Sequence, residues 1–260
     1  MAKSKYEYVR EFEQDDTLLK GCFIVVRIDG KGFTKFSDLH GFVKPNDLPA
    51  LNLMNEAARE VLREFSDVRI AFGESDEYSF VLHRGTALYE RRSCKIVSLI
   101  TSCFTSNYVR LWASVMGPER PLLASPMFDG RAVLYPTERL IRDYLSWRQV
   151  DTHINSQYNT CFWALVQQGG CTSQQAQDTL KGTDVNFKND MLFTRFGINY
   201  NELPEVFKKG SIVLREKRLA IVKHDDEGRP VERLRTEVVV VHCDIIRDEP
   251  FWKEHLTLLE

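Results

Sequence analysis

The alternation of apolar and polar positions predicts four strands and two long helices in the first half of the chain. β-Branched and aromatic runs predict strands at residues 22–29, 68–72, 77–82 and 131–136. Apolar residues at helical spacing predict helices over residues 48–65 and about 87–116. The order β-α-β-β-α-β is that of the ferredoxin-like split unit, which polymerase palms and nucleotidyl cyclases often use.

The pattern changes after Pro136. Residues 137–168 and 173–180 predict helices, and Thr172 or Ser173 caps the second one. Two further strands, at residues 211–224 and 236–246, predict a hairpin across 225–230. We therefore expect an α+β protein. Its ferredoxin-like (βαββαβ), polymerase-palm-type core is residues 1–136, and a helical and hairpin region, residues 137–260, packs on it.

Composition narrows the class of protein. The chain has 260 residues, of which 43% are hydrophobic and 28% charged, which favours a folded globular protein. Its net charge of −2 argues against general charge-driven binding to nucleic acid, so any RNA contact needs a local positive surface. The six cysteines form no C-x-x-C pair, and the sequence has neither a signal peptide nor an apolar run of transmembrane length. We expect an intracellular protein that does not enter a membrane.

Acidic residues are predicted to meet at one end of the sheet. Asp29 ends the first strand, and Asp76 and Glu77 lie at the turn between the second and third strands. If the first and third strands pair antiparallel, Asp29 and Asp76 come within ~5 Å. Carboxylates this close suit Mg²⁺, and two such ions about 3.5–4 Å apart can activate a hydroxyl and stabilise leaving pyrophosphate. The Gly30 carbonyl is a further candidate ligand. The alternative is that Asp-Gly and Ser-Asp-Glu simply form solvated turns.

Candidates for phosphate binding surround these acidic residues. The run "DGKGF" at residues 29–33 could form an anion-binding nest from its backbone N–H groups. It is neither G-x-G-x-x-G nor a Walker A loop, so alone it is a weak signal. Lys44 and Ser75 could contact the same phosphates, although Lys44 is by default a solvated lysine.

Several of these segments are similar to the tRNA-histidine guanylyltransferases of the eukaryotic type. The matching runs include "RIDGKGF", "KPND", "GESDEYSF", "DYLSWRQVDTHINSQYNT", "GINYNELP" and "HCDIIRDEPFWKEH". They follow the family order from Arg27 to His255. Thr34 departs from the histidine that the family often carries, and Val43 departs from a common alanine, which leaves details of nucleotide contact open.

The resemblance implies roles for particular residues. Asp29, Asp76 and the Gly30 carbonyl are the implied metal ligands, and Glu77 is an acidic residue that supports catalysis. Phe42 and Asp47 flank the implied guanine pocket, while Arg92 and Lys95 form a second phosphate-binding region. The full set of expected nucleotide contacts is Asp29, Gly30, Lys31, Gly32, Phe33, Thr34, Phe42, Lys44, Asp47, Ser75, Asp76, Arg92 and Lys95.

The resemblance also implies contacts with tRNA. The expected residues are His153, Asn155, Lys188, Asn201, Lys208 and Lys209. His and Asn side chains can hydrogen-bond unstacked base edges, and lysines can meet phosphates. The alternative for His153 is a histidine at the start of a helix whose hydrogen bonds are already made within the protein. The alternative for the basic stretch, which also includes Arg215, Lys217 and Arg218, is a solvated strand face. We expect the aromatic residues Trp147, Phe162 and Trp163 to pack in the core rather than stack on bases.

The implied chemistry has three steps. ATP adenylylates the 5′ phosphate of tRNA-His and releases pyrophosphate; the 3′-hydroxyl of GTP then attacks that phosphate and releases AMP; finally pyrophosphate is removed from the added nucleotide. The resemblance further implies two Mg²⁺ ions per active site and a homotetramer. We expect the protein in the cytoplasm, with the nucleus as an open alternative. Two alternatives stay open: another palm-type enzyme such as a nucleotidyl cyclase, and a non-catalytic tRNA-binding protein.

Overall fold

A single antiparallel sheet forms the centre of the molecule. The computed structural model describes residues 4–224, 230–246 and 250–260. In this part of the chain six strands pair in the order β4-β1-β3-β2-β5-β6. Their bounds are β1 Phe23–Gly30, β2 Val68–Glu74, β3 Glu77–Leu82, β4 Phe128–Tyr135, β5 Ser211–His224 and β6 Pro230–Val241. The predicted mixture of helices with an antiparallel sheet is confirmed.

Eight helices accompany the sheet in the described ranges. They are α1 Phe33–Leu39, α2 Leu48–Glu64, α3 Ser93–Met116, α4 Glu138–Gln167, α5 Ser173–Leu180, α6 Val185–Phe196, α7 Glu205–Lys209 and α8 Pro250–Glu254. Short 3₁₀ turns lie at Glu7–Phe12, Leu88–Arg91 and Tyr200–Glu202. Thr172 caps α5 through a capping box with Gln175, as the sequence predicted. None of these helices combines the length and apolarity that crossing a bilayer requires.

Both faces of the sheet are covered, which explains the uninterrupted apolar run of β1. Ile24, Val26 and Ile28 face α2 and α3 in one core cluster. Phe23 and Val25 face the opposite way, into a cluster with residues of α4 and α8. A strand whose two faces are both buried needs apolar residues at every position rather than at alternate ones.

Register brings the acidic residues to one end of this sheet. In β1, Asp29 lies opposite Glu77 of β3 on one side and opposite Asp129 of β4 on the other. Directly opposed residues of antiparallel strands share a face. Asp76 belongs to the two-residue turn that joins β2 to β3 at this same end.

The structure corrects several predicted boundaries. Helix α1 was missed because it is only seven residues long and carries a single buried side chain, Phe36. The long helix expected from residue 87 begins at Ser93, after a 3₁₀ turn. β4 begins at Phe128 rather than at residue 131, so Asp129 is a strand residue. β6 covers Pro230–Val241 instead of 236–246. The expected hairpin turn at 225–229 lies outside the described residues.

Residues 242–246 leave the sheet because α4 holds their backbone. The Gln149 side chain donates to the carbonyls of Lys209 and Cys243, at 2.9 and 2.8 Å, and accepts from the N–H of Ile245 at 2.7 Å. Gln149 is fully buried. A buried backbone segment outside a ladder needs such partners for its polar groups, and the amide of Gln149 supplies them.

Candidate active site

The two acidic residues that the sequence singled out meet at one end of the sheet. Asp29 is the penultimate residue of β1, and Asp76 lies in the β2–β3 turn. The backbone N–H of Gly30 donates to the carbonyl of Asp76 over 3.1 Å, which ties the turn to β1. Burial raises the pKa of Asp76, and the negative charge of Asp29 raises it further. The two carboxylates are therefore close enough to repel each other.

This pair fits a divalent cation. No Lys, Arg or His side chain pairs with Asp76 in the described part of the chain, and Ser75 Oγ donates to it over 3.1 Å. Across the same residues no three His, Cys, Asp or Glu side chains converge as a ready-made metal site. Mg²⁺ is often held by one or two carboxylates, with phosphate oxygens and water as the remaining ligands. Asp29 and Asp76 are such a set.

Glu77 is held differently from Asp29 and Asp76. Its carboxylate is buried and lies 2.5 Å from Arg27 Nη2 and 2.7 Å from Arg148 Nε. Burial raises the pKa of Glu77, although the two guanidinium groups oppose this effect. Two arginines already neutralise it, so Glu77 supports the site through them rather than facing it as a free ligand. Sequence reasoning missed Arg27, although the period of two along β1 puts it on the same face as Asp29.

The loop after β1 leaves fewer phosphate donors than expected. The N–H groups of Gly30 and Lys31 already donate to the carbonyls of Asp76 and Met127, at 3.1 and 2.8 Å. Gly32 takes a left-handed conformation, φ 68°, and begins α1. The first N–H groups of a helix have no internal partners. The donors of the predicted nest are therefore those at the start of α1, with Thr34 exposed beside them.

A cavity of about 430 Å³ opens beside Asp76. This volume is typical of small-molecule sites. Its walls come from both halves of the chain. From the first half they include Phe33, Thr34, Phe42, Lys44, Asp47, Ser75 and Asp76, and from the second half Tyr158, Asn159, Phe162, Trp163 and Gln177. The structure thus brings together seven of the residues that were expected to contact nucleotide.

Asp47 lines this cavity, but its carboxylate is fully occupied. It accepts from the N–H groups of Val43 and Ala50 at 2.9 and 3.0 Å, and from both terminal nitrogens of Arg120 at 3.2 and 2.7 Å. The carboxylate therefore has no free lone pair directed at a guanine. Asp47 instead fixes the loop before α2, and the Arg120 guanidinium lies 5.3 Å from the centre of the Phe42 ring.

Lys44 is held against the wall of the cavity. Its Nζ lies 3.0 Å from Asp38 Oδ1, donates to Ser37 Oγ over 2.9 Å, and is 5.8 Å from the Trp163 ring. The expectation of core packing is wrong for two aromatic residues. Trp163 lines the cavity and Trp147 is 54% exposed.

Arg92 and Lys95 lie outside the wall of this cavity. Arg92 is 3.7 Å from Asp16, and Lys95 is exposed at the start of α3. The structure therefore does not group them with the seven residues of the cavity wall, and their contact with phosphate stays a prediction.

The residues expected to contact tRNA lie around the second half of α4. His153 is half-buried, burial lowers its pKa, and its carbonyl accepts from Tyr200 Oη at 3.4 Å. Asn155 and Asn201 are exposed. Lys188 Nζ donates to the Thr183 carbonyl over 2.8 Å. These groups form the second candidate surface.

The predicted basic stretch does not form a free positive patch. Lys208 is buried, donates to the Asn201 carbonyl over 2.6 Å and pairs with Glu205 at 2.8 Å. Lys209 pairs with the same Glu205 at 2.7 Å. Arg215 donates to the backbone carbonyls of Phe65, just after α2, and of Val68, the first residue of β2. In this conformation Lys208 is not presented to a phosphate, because its charge is satisfied inside the protein.

Two carboxylates at a sheet end, beside a cavity of small-molecule size, are compatible with metal-assisted transfer of a nucleotide. The family model for tRNAHis guanylyltransferase matches residues 6–136, and that for the Thg1 C terminal domain matches residues 139–247. The "Probable tRNA(His) guanylyltransferase" of Dictyostelium discoideum is 52% identical over 259 residues, covering 100% of this chain and 99% of that protein. The Schizosaccharomyces pombe tRNA(His) guanylyltransferase is 52% identical over 253 residues, with 97% and 96% coverage.

A solved structure agrees with these matches. The crystal structure of the Saccharomyces cerevisiae tRNA(His) guanylyltransferase superposes with a TM-score of 0.77 at 52% identity, covering 80% of this chain and 92% of that one. A bacterial guanylyltransferase-like protein in complex with ATP shares the fold, with a TM-score of 0.75 at 23% identity over 99% of this chain and 100% of that one. This chain belongs to the tRNA(His) guanylyltransferase family and is a nucleotidyltransferase.

Gly30 allows the loop after β1 to pass close to an aromatic ring. A Cβ added at Gly30 would lie 2.3 Å from the ring of Phe33. We expect Gly30→Ala to lower the free energy of unfolding by about 1–3 kcal/mol, the usual cost of overpacking. Urea unfolding measures this. Gly85→Ala is the control, because its added Cβ comes no closer than 3.3 Å to His83. Equal stability of both variants would show that Phe33 moves aside freely.

Proposed function

We propose that this chain adds a guanosine nucleotide to the 5′ end of tRNA-His, with ATP activating the 5′ phosphate and GTP supplying the nucleotide. The observation that carries the proposal is Asp76: a half-buried carboxylate without a cationic partner among the described residues, beside Asp29 and on the wall of the 430 Å³ cavity. The names of close relatives support the substrate. Bacterial relatives in complex with ATP and with GTP support the two nucleotides.

We assign the first half of the chain as a ferredoxin-like, palm-type catalytic core. The strand order β4-β1-β3-β2 and the chain order of strands and helices agree with the split βαββαβ unit, once the short α1 is set aside. Residues 1–136 would form this core, and residues 137–260 would contact tRNA. The family likeness also suggests a homotetramer, and the expected location is the cytoplasm, with the nucleus as an open alternative.

Asp29, Asp76 and the Gly30 carbonyl would hold two Mg²⁺ ions together with the triphosphate. Bound there, Mg²⁺ would lower the pKa of the attacking hydroxyl and neutralise charge on the leaving phosphates. The chain itself supplies the repulsion between Asp29 and Asp76 that makes a cation favourable. Arg27, 3.8 Å from Asp29, limits that repulsion without occupying Asp76.

The cavity would orient the nucleotide. Phe42 and Trp163 offer aromatic surfaces for a base, and Ser75 and Asp76 lie on the same wall for the phosphates. Lys44 now pairs with the Asp38 carboxylate at 3.0 Å. It would exchange this partner for a phosphate oxygen of the nucleotide, because a carboxylate and a phosphate are both anions that bind an ammonium group. By holding the nucleotide, the walls would place its attacking hydroxyl near the 5′ phosphate of the tRNA. This positioning would lower the entropic cost of the reaction.

The second surface would read the tRNA. Asn155 and Asn201 are exposed amides, and His153 is half-buried on the same helix as Asn155. Amide and imidazole groups suit the edges of single-stranded bases, such as those of an anticodon. Lys188 and Lys209, both only partly buried, would meet phosphates by releasing their present partners.

An addition assay tests the proposal. The enzyme is given labelled GTP, ATP, Mg²⁺ and either 5′-monophosphorylated tRNA-His or the same tRNA with a changed anticodon. We expect label at the 5′ end of tRNA-His, and kcat/KM lower by about tenfold or more for the altered tRNA, because hydrogen-bonding groups in the protein lose their partners. Nucleotide turnover without tRNA would indicate a cyclase-like enzyme. Binding of tRNA without label transfer would indicate a non-catalytic protein.

A further inference from the structure

The turn that carries Asp76 is clamped from outside the candidate site. Glu74 and Glu77 flank the turn and are direct partners across the β2–β3 hairpin. Like charges directly opposite each other destabilise a hairpin. Arg148 of α4 compensates both: its Nη2 donates to Glu74 Oε1 over 2.8 Å and to Glu77 Oε2 over 3.2 Å. Its Nε is 2.7 Å from Glu77 Oε1, an ion-pair contact without hydrogen-bond alignment.

Arg148 itself is firmly held. It is only 4% exposed. Asp151, one helical turn further along α4, accepts from Arg148 Nη2 over 3.0 Å, and the guanidinium lies 4.5 Å from the centre of the Trp147 ring. A side chain fixed at several points transmits the position of its helix to whatever it binds. Arg148 therefore links the rigid α4 to both ends of the turn.

The same network reaches Asp29 through a second arginine. Arg27 Nη2 is 2.5 Å from Glu77 Oε2 and 3.8 Å from Asp29 Oδ2. Arg148 thus connects to Asp76 through the two glutamates that flank its turn, and to Asp29 through Glu77 and Arg27. Arg148 itself neither lines the cavity nor belongs to the acidic pair.

On the basis of the proposed function, we infer that Arg148 is a positioning residue for the metal site. By bridging Glu74 and Glu77 it fixes the β2–β3 turn, and so the position of Asp76 relative to Asp29. Without it, the two glutamates repel each other, the turn spreads, and the two aspartates no longer meet a cation with the same geometry. The consequence is a lower affinity for the divalent ion, while chemistry at saturating metal changes little.

The test measures metal binding separately from turnover. We expect Arg148→Gln to raise the Kd for Mn²⁺, in the presence of GTP and without tRNA or ATP, by about 10–100-fold, as for other groups that orient metal ligands. Electron paramagnetic resonance of free Mn²⁺ gives this Kd. At saturating Mn²⁺, kcat should stay within about threefold of wild type. Arg148→Lys should give an intermediate Kd, because one ammonium group cannot bridge both carboxylates in the way a guanidinium does.

Controls keep the outcomes distinct. Arg139→Gln removes the same charge from the same helix, but the Arg139 side chain is 90% exposed and, among the residues that the structure describes, pairs with Asp143 alone, at 3.9 Å; its Kd should match wild type. If Arg148→Gln does not fold, Glu74→Gln/Arg148→Gln removes one unpaired carboxylate and takes its place. An unchanged Kd in a folded variant overturns the positioning role. An unchanged Kd in Asp76→Asn would overturn the metal site of the proposed function instead.

Discussion

Asp76→Asn is expected to lower kcat/KM for nucleotide addition by at least about 10²-fold, the scale of losing one electrostatic group at a reacting centre, while the melting temperature stays equal or rises. The sign of the stability effect follows from the pKa. Burial and the charge of Asp29 raise the pKa of Asp76, so at neutral pH its ionised form is unfavourable in the fold. A neutral amide removes this repulsion and can still accept from Ser75.

Single-turnover addition of labelled GTP, paired with a thermal melt, checks this prediction. Asp129→Asn is the matched control. Asp129 also lies opposite Asp29, on the β4 side, but its side chain is 57% exposed and pairs with Arg131 at 3.0 Å. We expect Asp129→Asn to transfer nucleotide like wild type. Full activity of Asp76→Asn, or an equal loss of activity in both variants, would show that Asp76 has no special role in nucleotide addition.

Arg120→Ala is expected to lower the free energy of unfolding by about 3–5 kcal/mol, the usual effect of breaking a buried ion pair. The Asp47 side chain is only 2% exposed, and Arg120 is its cationic partner at 2.7 Å. The two backbone N–H bonds to Asp47 remain, but they do not replace the lost charge. Because the loop before α2 lines the cavity, KM for GTP should rise in the same variant.

The dependence of stability on pH gives this prediction a second readout. Burial alone would raise the pKa of Asp47, but Arg120 and the N–H groups of Val43 and Ala50 hold it below its ordinary 3.8. Its contribution is therefore present above that value and is lost as the pH falls through the lower, folded-state pKa. In Arg120→Ala, the loss of stability as the pH falls through this range should be smaller.

Urea unfolding at several pH values measures both effects. Arg110→Ala is the control, because Arg110 is 59% exposed and its pair with Glu60, at 3.4 Å, lies at the surface. A surface pair is expected to contribute about 0–1 kcal/mol. If Arg120→Ala costs no more than this control, the ion pair does not hold the loop.

The end of the sheet that carries Asp29 and Asp76 could be predicted from sequence, because the length of the turn fixes which residues of the paired strands lie opposite each other. The run of residues 77–82 alternates with period two, and a two-residue turn before it leaves little freedom in pairing. Given antiparallel β1 and β3, Asp29 must then lie beside that turn. The structure pairs Asp29 with Glu77, one residue from Asp76.

The partners of the acidic residues could not be predicted in this way. Arg148 and Glu74 are 74 residues apart, and Arg120 and Asp47 are 73 apart. No periodicity connects positions on different elements; only the packing of α4 on the sheet and the path of the chain after α3 bring them together. The burial of Lys208 was missed for a different reason: its partners Asn201 and Glu205 are close in sequence, but a local ion pair does not reveal that the side chain is buried.

Anomalous diffraction from crystals grown with Mn²⁺ and GTP tests the central claim most directly. We predict manganese peaks between the Asp29 and Asp76 carboxylates, next to the triphosphate in the cavity. Manganese bound to the triphosphate with neither aspartate as a ligand, or ions only at other carboxylates, would contradict it.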